Sequence, residues 1–203
     1  PSSAASDVYK RQPYNTLNAE NPGISGFGDL YQNINQMNLF ISRTLHTDVL
    51  TESARNYYWG QVYGLRAYYM YQLYRSWGDV VFTEEPSLGF EVGKLAKAAT
   101  PAAEIFEQVK KDIESSLSYF GSDYTIKEKK SLWSKAATLM LKADVYLWSA
   151  HRDGGEGDAR TAKNALVDIQ NNISRSNLDL MDTYQGVFAY DNKGNKEIIF
   201  TIH

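Results

Sequence analysis

The sequence predicts a mostly α-helical protein: antiparallel helix hairpins joined by irregular connections, with at most one or two short strands. Apolar residues recur at spacings of three and four in five separate stretches. Segments bearing glycine or proline separate those stretches, at 78–101, 121–131 and 153–157. Runs that suit a strand are confined to Val80-Val81-Phe82 and to the apolar segment Ile198-Ile199-Phe200-Thr201-Ile202.

The first stretch places Phe27, Leu30, Tyr31, Ile34, Met37, Ile41 and Leu45 on one helical stripe. Thr51 is a candidate N-cap for a second helix running from Glu52 to about Trp77 without proline, with Ala54, Tyr58, Val62, Leu65, Tyr69 and Leu73 along one face. At about 1.5 Å per residue this helix exceeds ~30 Å, long enough to pack against several neighbours. Gly78 stands where a left-handed C-terminal cap belongs. The connection to Ala99, with Pro86, Gly89 and Gly93, reads as irregular.

Thr100-Pro101 starts a third helix, with Ile105, Val109, Ile113 and Leu117 inward and an end near Gly121. A lysine-rich loop, Lys127 to Lys130, precedes a fourth helix from about Leu132 to Ala150. Its apolar face is rich in small residues: Ala136, Ala137, Met140, Ala143 and Leu147. The loop Asp153-Gly154-Gly155-Glu156-Gly157 breaks it, and Asp158 is placed to cap a fifth helix with Ala162, Leu166, Ile169 and Ile173 inward.

Composition bounds the function. A chain of 203 residues with 43% hydrophobic and 22% charged side chains buries a real core. The 21 lysines and arginines against 24 acids give a net charge of −3 and no basic stripe, which argues against nucleic acid as a partner. There is no cysteine, so disulfides and thiolate metal sites are excluded. No apolar run approaches the ~20 residues that span a bilayer, and no signal-peptide pattern is present.

The opening Ser2 to Gln12 resembles translated adapter sequence, so residues 1–12 are set aside as non-native. Residues 13–203 are read as the N-terminal part of a helical domain truncated at both ends. Helix pairs of this kind look like tetratricopeptide-type hairpins in a superhelix, although their intervals are irregular rather than fixed at about 34 residues.

The segment Leu65-Arg66-Ala67-Tyr68-Tyr69-Met70-Tyr71-Gln72-Leu73-Tyr74-Arg75-Ser76-Trp77-Gly78-Asp79-Val80 resembles the hallmark of the SusD/RagB family. The family order continues through Asp112-Ile113, Ser134-Lys135-Ala136-Ala137, Lys142-Ala143-Asp144-Val145-Tyr146-Leu147 and Asn195-Lys196-Glu197-Ile198-Ile199-Phe200. Val81 departs from the family's frequent proline, and Asp144 from its usual arginine; the acid is expected to alter a local ion pair.

The resemblance implies a lipoprotein on the outer face of the outer membrane. Its parent protein would bind a glycan or peptide nutrient without catalysis and pass it to a TonB-dependent, SusC-like transporter. The lipid anchor would lie outside this fragment, and no cofactor is implied. Leu65, Arg66, Ala67, Trp77, Gly78 and Asp79 carry over as family-motif scaffold. An intracellular tetratricopeptide-like adaptor and an α-helical glycoside hydrolase are the alternatives.

Trp59, Trp77, Trp133 and Trp148, with 15 tyrosines, suit sugar stacking chemically. At helical spacing, however, Trp59, Trp148 and the Tyr57 to Tyr74 series read as core. Trp77, at a helix exit, is the candidate ligand contact. Asp79 is expected to bind nearby backbone, and Arg66 to pair with an acid on a neighbouring helix. His46, His151 and His203 are scattered, and no hydrolase elbow, zinc motif or phosphate loop occurs. Glu84-Glu85 read as solvated. Asp153, Glu156 and Asp158 miss the calcium-loop spacing, so no metal site is expected.

Overall fold

The computed structural model describes residues 26–45, 47–89, 97–127 and 130–201. The expectation for residues 1–12 lies outside them. Its principal helices are α1 (Gly28–Thr44), α2 (Glu52–Trp77), α3 (Ala102–Phe120), α4 (Lys135–Ser149) and α5 (Gly155–Asn171). The short helices α6 (Ile173–Ser176) and α7 (Tyr184–Val187) and a 3-10 turn (Tyr190–Asn192) follow. Among the described residues there is no strand, only an isolated antiparallel bridge between Val80 and Thr100.

The helix ends follow local chemistry. Thr51 Oγ1 accepts the Ala54 N–H at the start of α2, satisfying one of the donors a helix N-terminus leaves open. Gly78 at φ 75° and Gly121 at φ 52° end α2 and α3, each N–H bonding back to a carbonyl of the last turn, in backbone that favours glycine. Ser134 caps α4 through the Ala137 N–H, so that helix starts at Lys135 rather than Leu132. Asp158 does not cap α5. Ala150–Gly154 winds as a π-turn, the new helix begins at Gly155 (φ 54°), and the Asp158 carboxylate lies inside it, 3.9 Å from Lys110 Nζ.

Successive helices run antiparallel. Gly60 meets Phe120, Arg66 meets Asp112 and Val80 meets Thr100, so advancing along α2 means retreating along α3. Phe27 against Trp77, Asn38 against Arg66 and Phe40 against Tyr58 give the same sense to α1 and α2. The α2–α3 interface is the largest and α4–α5 the next.

The main core gathers Ala67, Met70, Tyr71 and Leu73 of α2, Ile105, Val109 and Ile113 of α3, and Ala137, Leu141 and Val145 of α4. A smaller cluster of Tyr124, Leu139, Ala143 and Ala165 joins α4 to α5. The single inward face expected of α2 is replaced by burial around most of its circumference. Trp59, Gly60, Gln61, Gly64, Arg66 and Ala67 are all buried, whereas Tyr58 is 45% exposed. The reason is position: α2 lies between α1 and α3 and also touches α4, and a helix with neighbours on several sides loses its amphipathic signature. Met140 and Leu147 of α4, and Leu166 and Ile173 at and beyond α5, are exposed rather than inward.

Gly60 and Gly64 make this close packing possible. The Phe120 ring sits 2.9 Å from where a Cβ on Gly60 would stand. A Cβ on Gly64 would overlap the Trp133 indole and lie 2.9 Å from Thr138 Oγ1. That indole donates to Thr138 Oγ1 (2.8 Å), Thr138 Oγ1 lies 2.8 Å from Ser116 Oγ, and Ser116 donates to the Gly60 carbonyl (2.6 Å). A buried chain of polar atoms therefore registers α2, α3 and α4 at one height. Gly64→Ala is expected to destabilise the chain by about 2–3 kcal/mol through overpacking, read as a lowered urea midpoint by circular dichroism. A midpoint equal to that of the unmutated chain would show that the indole does not rest on Gly64.

Candidate functional site

The hallmark segment builds a buried polar centre. Arg66 Nε and Nη2 donate to the two oxygens of Asp112, each at 2.7 Å, and Nη1 donates to Asn38 Oδ1 at 2.9 Å. Asn38 Nδ2 in turn donates to the Thr83 carbonyl (2.6 Å), and Gln108 Nε2 to Asp112 Oδ1 (3.0 Å). The Arg66 and Asp112 side chains are 3% and 2% exposed. The Tyr63 ring lies 5.1 Å from the guanidinium carbon, and Glu84, itself exposed, stands 3.6 Å from Nη2.

Burial alone would lower the arginine's pKa, but the hydrogen bonds and charge of Asp112 reverse this and hold it above its ordinary value. Burial pushes the Asp112 carboxyl up, and Arg66 and Gln108 offset only part of that. The fork geometry fixes the state: both carboxylate oxygens accept from guanidinium N–H groups, which requires the ionised pair.

The other motif residues serve the same architecture. Ala67 is fully buried, and Leu65 packs at the edge of the core. Asp79 Oδ1 accepts the Ala102 N–H at 2.8 Å, so it caps α3 from 23 residues away rather than binding its own turn. Trp77 is half-buried, with Phe27 edge-on at a 5.5 Å centroid separation. At the two departures, Asp144 pairs with Arg75 at 3.7 Å, where the arginine also covers Tyr71 and Trp148. Val81 offers its carbonyl to the Tyr31 hydroxyl (2.7 Å), an acceptor a proline would retain. Tyr71 is fully buried, and its hydroxyl is pushed up to about 12, chiefly by burial.

Of the four tryptophans, Trp59 and Trp133 are buried and Trp148 half-buried. The exposed aromatics among the described residues are instead Tyr58, Phe27, and Tyr184, Phe188 and Tyr190. Among the described residues, no group of three or more histidines and acids stands close enough to hold a metal ion, and no helix is long and apolar enough to cross a membrane.

Surface cavities among the described residues include three near the motif helices. One of about 300 Å³ lies between α1 and the 81–87 strap, where the Asn35 and Asn38 amides are already bonded to Ser87 and Thr83. A second, of about 590 Å³, borders the Arg66 centre and holds Lys110 in ion pairs with Glu107 and Asp158. A third, of about 850 Å³, lies between the N-terminus of α2 and the C-terminus of α3, lined by Asn56, Tyr57, Tyr58, Asp123, Lys127 and Leu132 among others. Neither Asn56 nor the cavity itself was visible to spacing arguments, because the residues come from three separate segments.

These features define a scaffold of tetratricopeptide-like helix hairpins locked by a buried arginine centre. The profile of the SusD-like family, described as starch-binding and associating with the outer membrane, matches residues 2–147; the chain belongs to that family. A SusD-like protein of Formosa agariphila is 26% identical over 174 residues, covering 86% of this chain and 31% of its own. The structure is similar to NanU of Bacteroides fragilis (TM-score 0.84, 46% identity) and to a SusD superfamily protein of Bacteroides vulgatus (TM-score 0.83, 45% identity). Each match covers 98% of this chain and 39% of the other. A surface glycan-binding protein of Bacteroides thetaiotaomicron, solved with laminarihexaose, shares the fold at a TM-score of 0.66 and 21% identity.

Breaking the buried pair has a defined cost. Asp112→Ala is expected to cost about 3–5 kcal/mol because it strands the guanidinium without water, measured by urea unfolding. With Arg66→Met added, the loss is expected to be smaller than the sum of the two single losses. Additive losses would show that the two groups are not coupled.

Proposed function

We propose that this chain is the helical part of a cell-surface glycan-binding lipoprotein of the outer membrane, non-catalytic, working with a TonB-dependent, SusC-like transporter. The observation that carries the reading is the family match over residues 2–147, whose description names starch binding and outer-membrane association. The two solved relatives at 46% and 45% identity share their fold with nearly all of the chain. Concave stacks of helix hairpins present broad surfaces that suit binding. In this reading the motif residues Leu65, Arg66, Ala67, Trp77, Gly78 and Asp79 build the scaffold.

Native electrophoresis in gels cast with soluble starch, laminarin or xyloglucan tests the reading. At least one glycan is expected to retard the purified chain, with no reducing ends released on incubation. Release of reducing sugar would overturn the non-catalytic reading, and free migration in all three gels would overturn glycan binding. The parent reading frame is expected to open with a signal peptide ending in a lipobox cysteine, and a plain cytosolic start would overturn the surface location.

A further inference from the structure

The three cavities differ in whether an exposed aromatic ring stands beside their open polar groups, as Tyr58 does only in the 850 Å³ one. In the smaller two, the Asn35, Asn38 and Gln108 amides and Lys110 are committed to the 81–87 strap or to neighbouring acids, while Gln32 and Lys111 stand open at their rims. In the 850 Å³ cavity at the head of α2, the Asn56 amide and the Ser53 and Ser118 hydroxyls have no partner among the described residues. Asp123 commits one oxygen, Oδ1, to the Thr125 N–H and hydroxyl, which leaves Oδ2 open. Tyr58 is 45% exposed, and its neighbours Tyr57 and Phe40 meet it at 60° and 67°, so neither stacks parallel on its ring. The volume falls within the ~300–1,000 Å³ usual for small-ligand sites.

Open aromatic surface beside uncommitted amide and carboxylate groups is the chemistry that recognises a sugar. The ring takes the C–H face of a pyranose, and the amide and carboxylate take its hydroxyls. The charge favours a neutral sugar. Glu52 and Asp123 bring two carboxylates, balanced by the ammonium groups of Lys127, held 3.8 Å from the centroid of the Tyr57 ring, and of Lys135, bonded to the Gly121 carbonyl. We propose that this cavity seats a neutral hexopyranose segment of the glycan, with Tyr58 as stacking platform and Asn56 and Asp123 as hydroxyl partners. The assignment rests on the glycan-binding reading above and locates one seat for it.

The test uses whichever of soluble starch, laminarin and xyloglucan retards the unmutated chain in native gels. Circular dichroism first confirms that each variant is folded. Tyr58→Ala and Asn56→Ala are each expected to weaken retention about tenfold, the scale of one lost stacking or hydrogen-bonded contact. The control variants Tyr184→Ala and Tyr190→Ala, whose aromatics are exposed in another part of the chain, are expected to be retained as before. If Tyr58→Ala does not fold, the half-buried Asn56→Ala carries the comparison. Retention unchanged in the cavity variants, or lost in the controls, overturns this location while glycan binding stands. Failure of every glycan to retard the unmutated chain overturns both.

Discussion

A guanidinium taken out of water must find an acceptor for its N–H groups, and the network around Arg66 draws on three different elements. Asp112 comes from α3, Asn38 from α1, and Asn38 passes the connection on to the Thr83 carbonyl of the strap. A row of hydrogen bonds thus crosses the molecule from strap to α3 through the centre of α2. Sliding any one of these helices by a turn would leave a buried charge unmatched, at a cost that apolar repacking does not offset. The arginine therefore sets the register of the N-terminal three helices.

The second register mark lies up to two turns before Arg66 on α2. At Gly60 and Gly64 the helix presents bare backbone, and the Phe120 and Trp133 rings settle there. The Trp133–Thr138–Ser116 chain then brings α4 to the same level. These two marks account for the heavy aromatic content of α2 and its neighbours: most of the rings are filler and fasteners inside the stack. The aromatic surface left for a ligand is correspondingly small, which is what singles out Tyr58 on α2.

The sequence made the boundaries of α2 and α3 legible because caps are local chemistry, whereas the starts of α4 and α5 fell elsewhere than expected. Thr51, Gly78, Pro101 and Gly121 stand at the ends where their side chains or backbone freedom place them. Burial was less legible. Periodicity reports one buried face, whereas α2 has neighbours on several sides and α4 and α5 leave Met140, Leu147 and Leu166 exposed. Asp79 shows the limit most clearly: its turn could be read from the Gly-Asp pair, but its partner, the Ala102 N–H, lies across a connection that no spacing rule spans. The cavity at the head of α2 was invisible for the same reason, since Asn56, Asp123 and Lys127 become neighbours only once the hairpins close.

The Asp79 cap and the Val80–Thr100 bridge close the connection between α2 and α3 at its base, like a drawstring. Both helix ends are then fixed independently of the chain between them. Beyond the 81–87 strap, which is bonded to α1 through Val81, Thr83 and Ser87, the length of that chain reaches helix stability through closure entropy, which grows by about 0.6 kcal/mol for each doubling. Changes of length after the strap therefore leave the packing beneath in place, while whatever that part of the loop displays is free to vary.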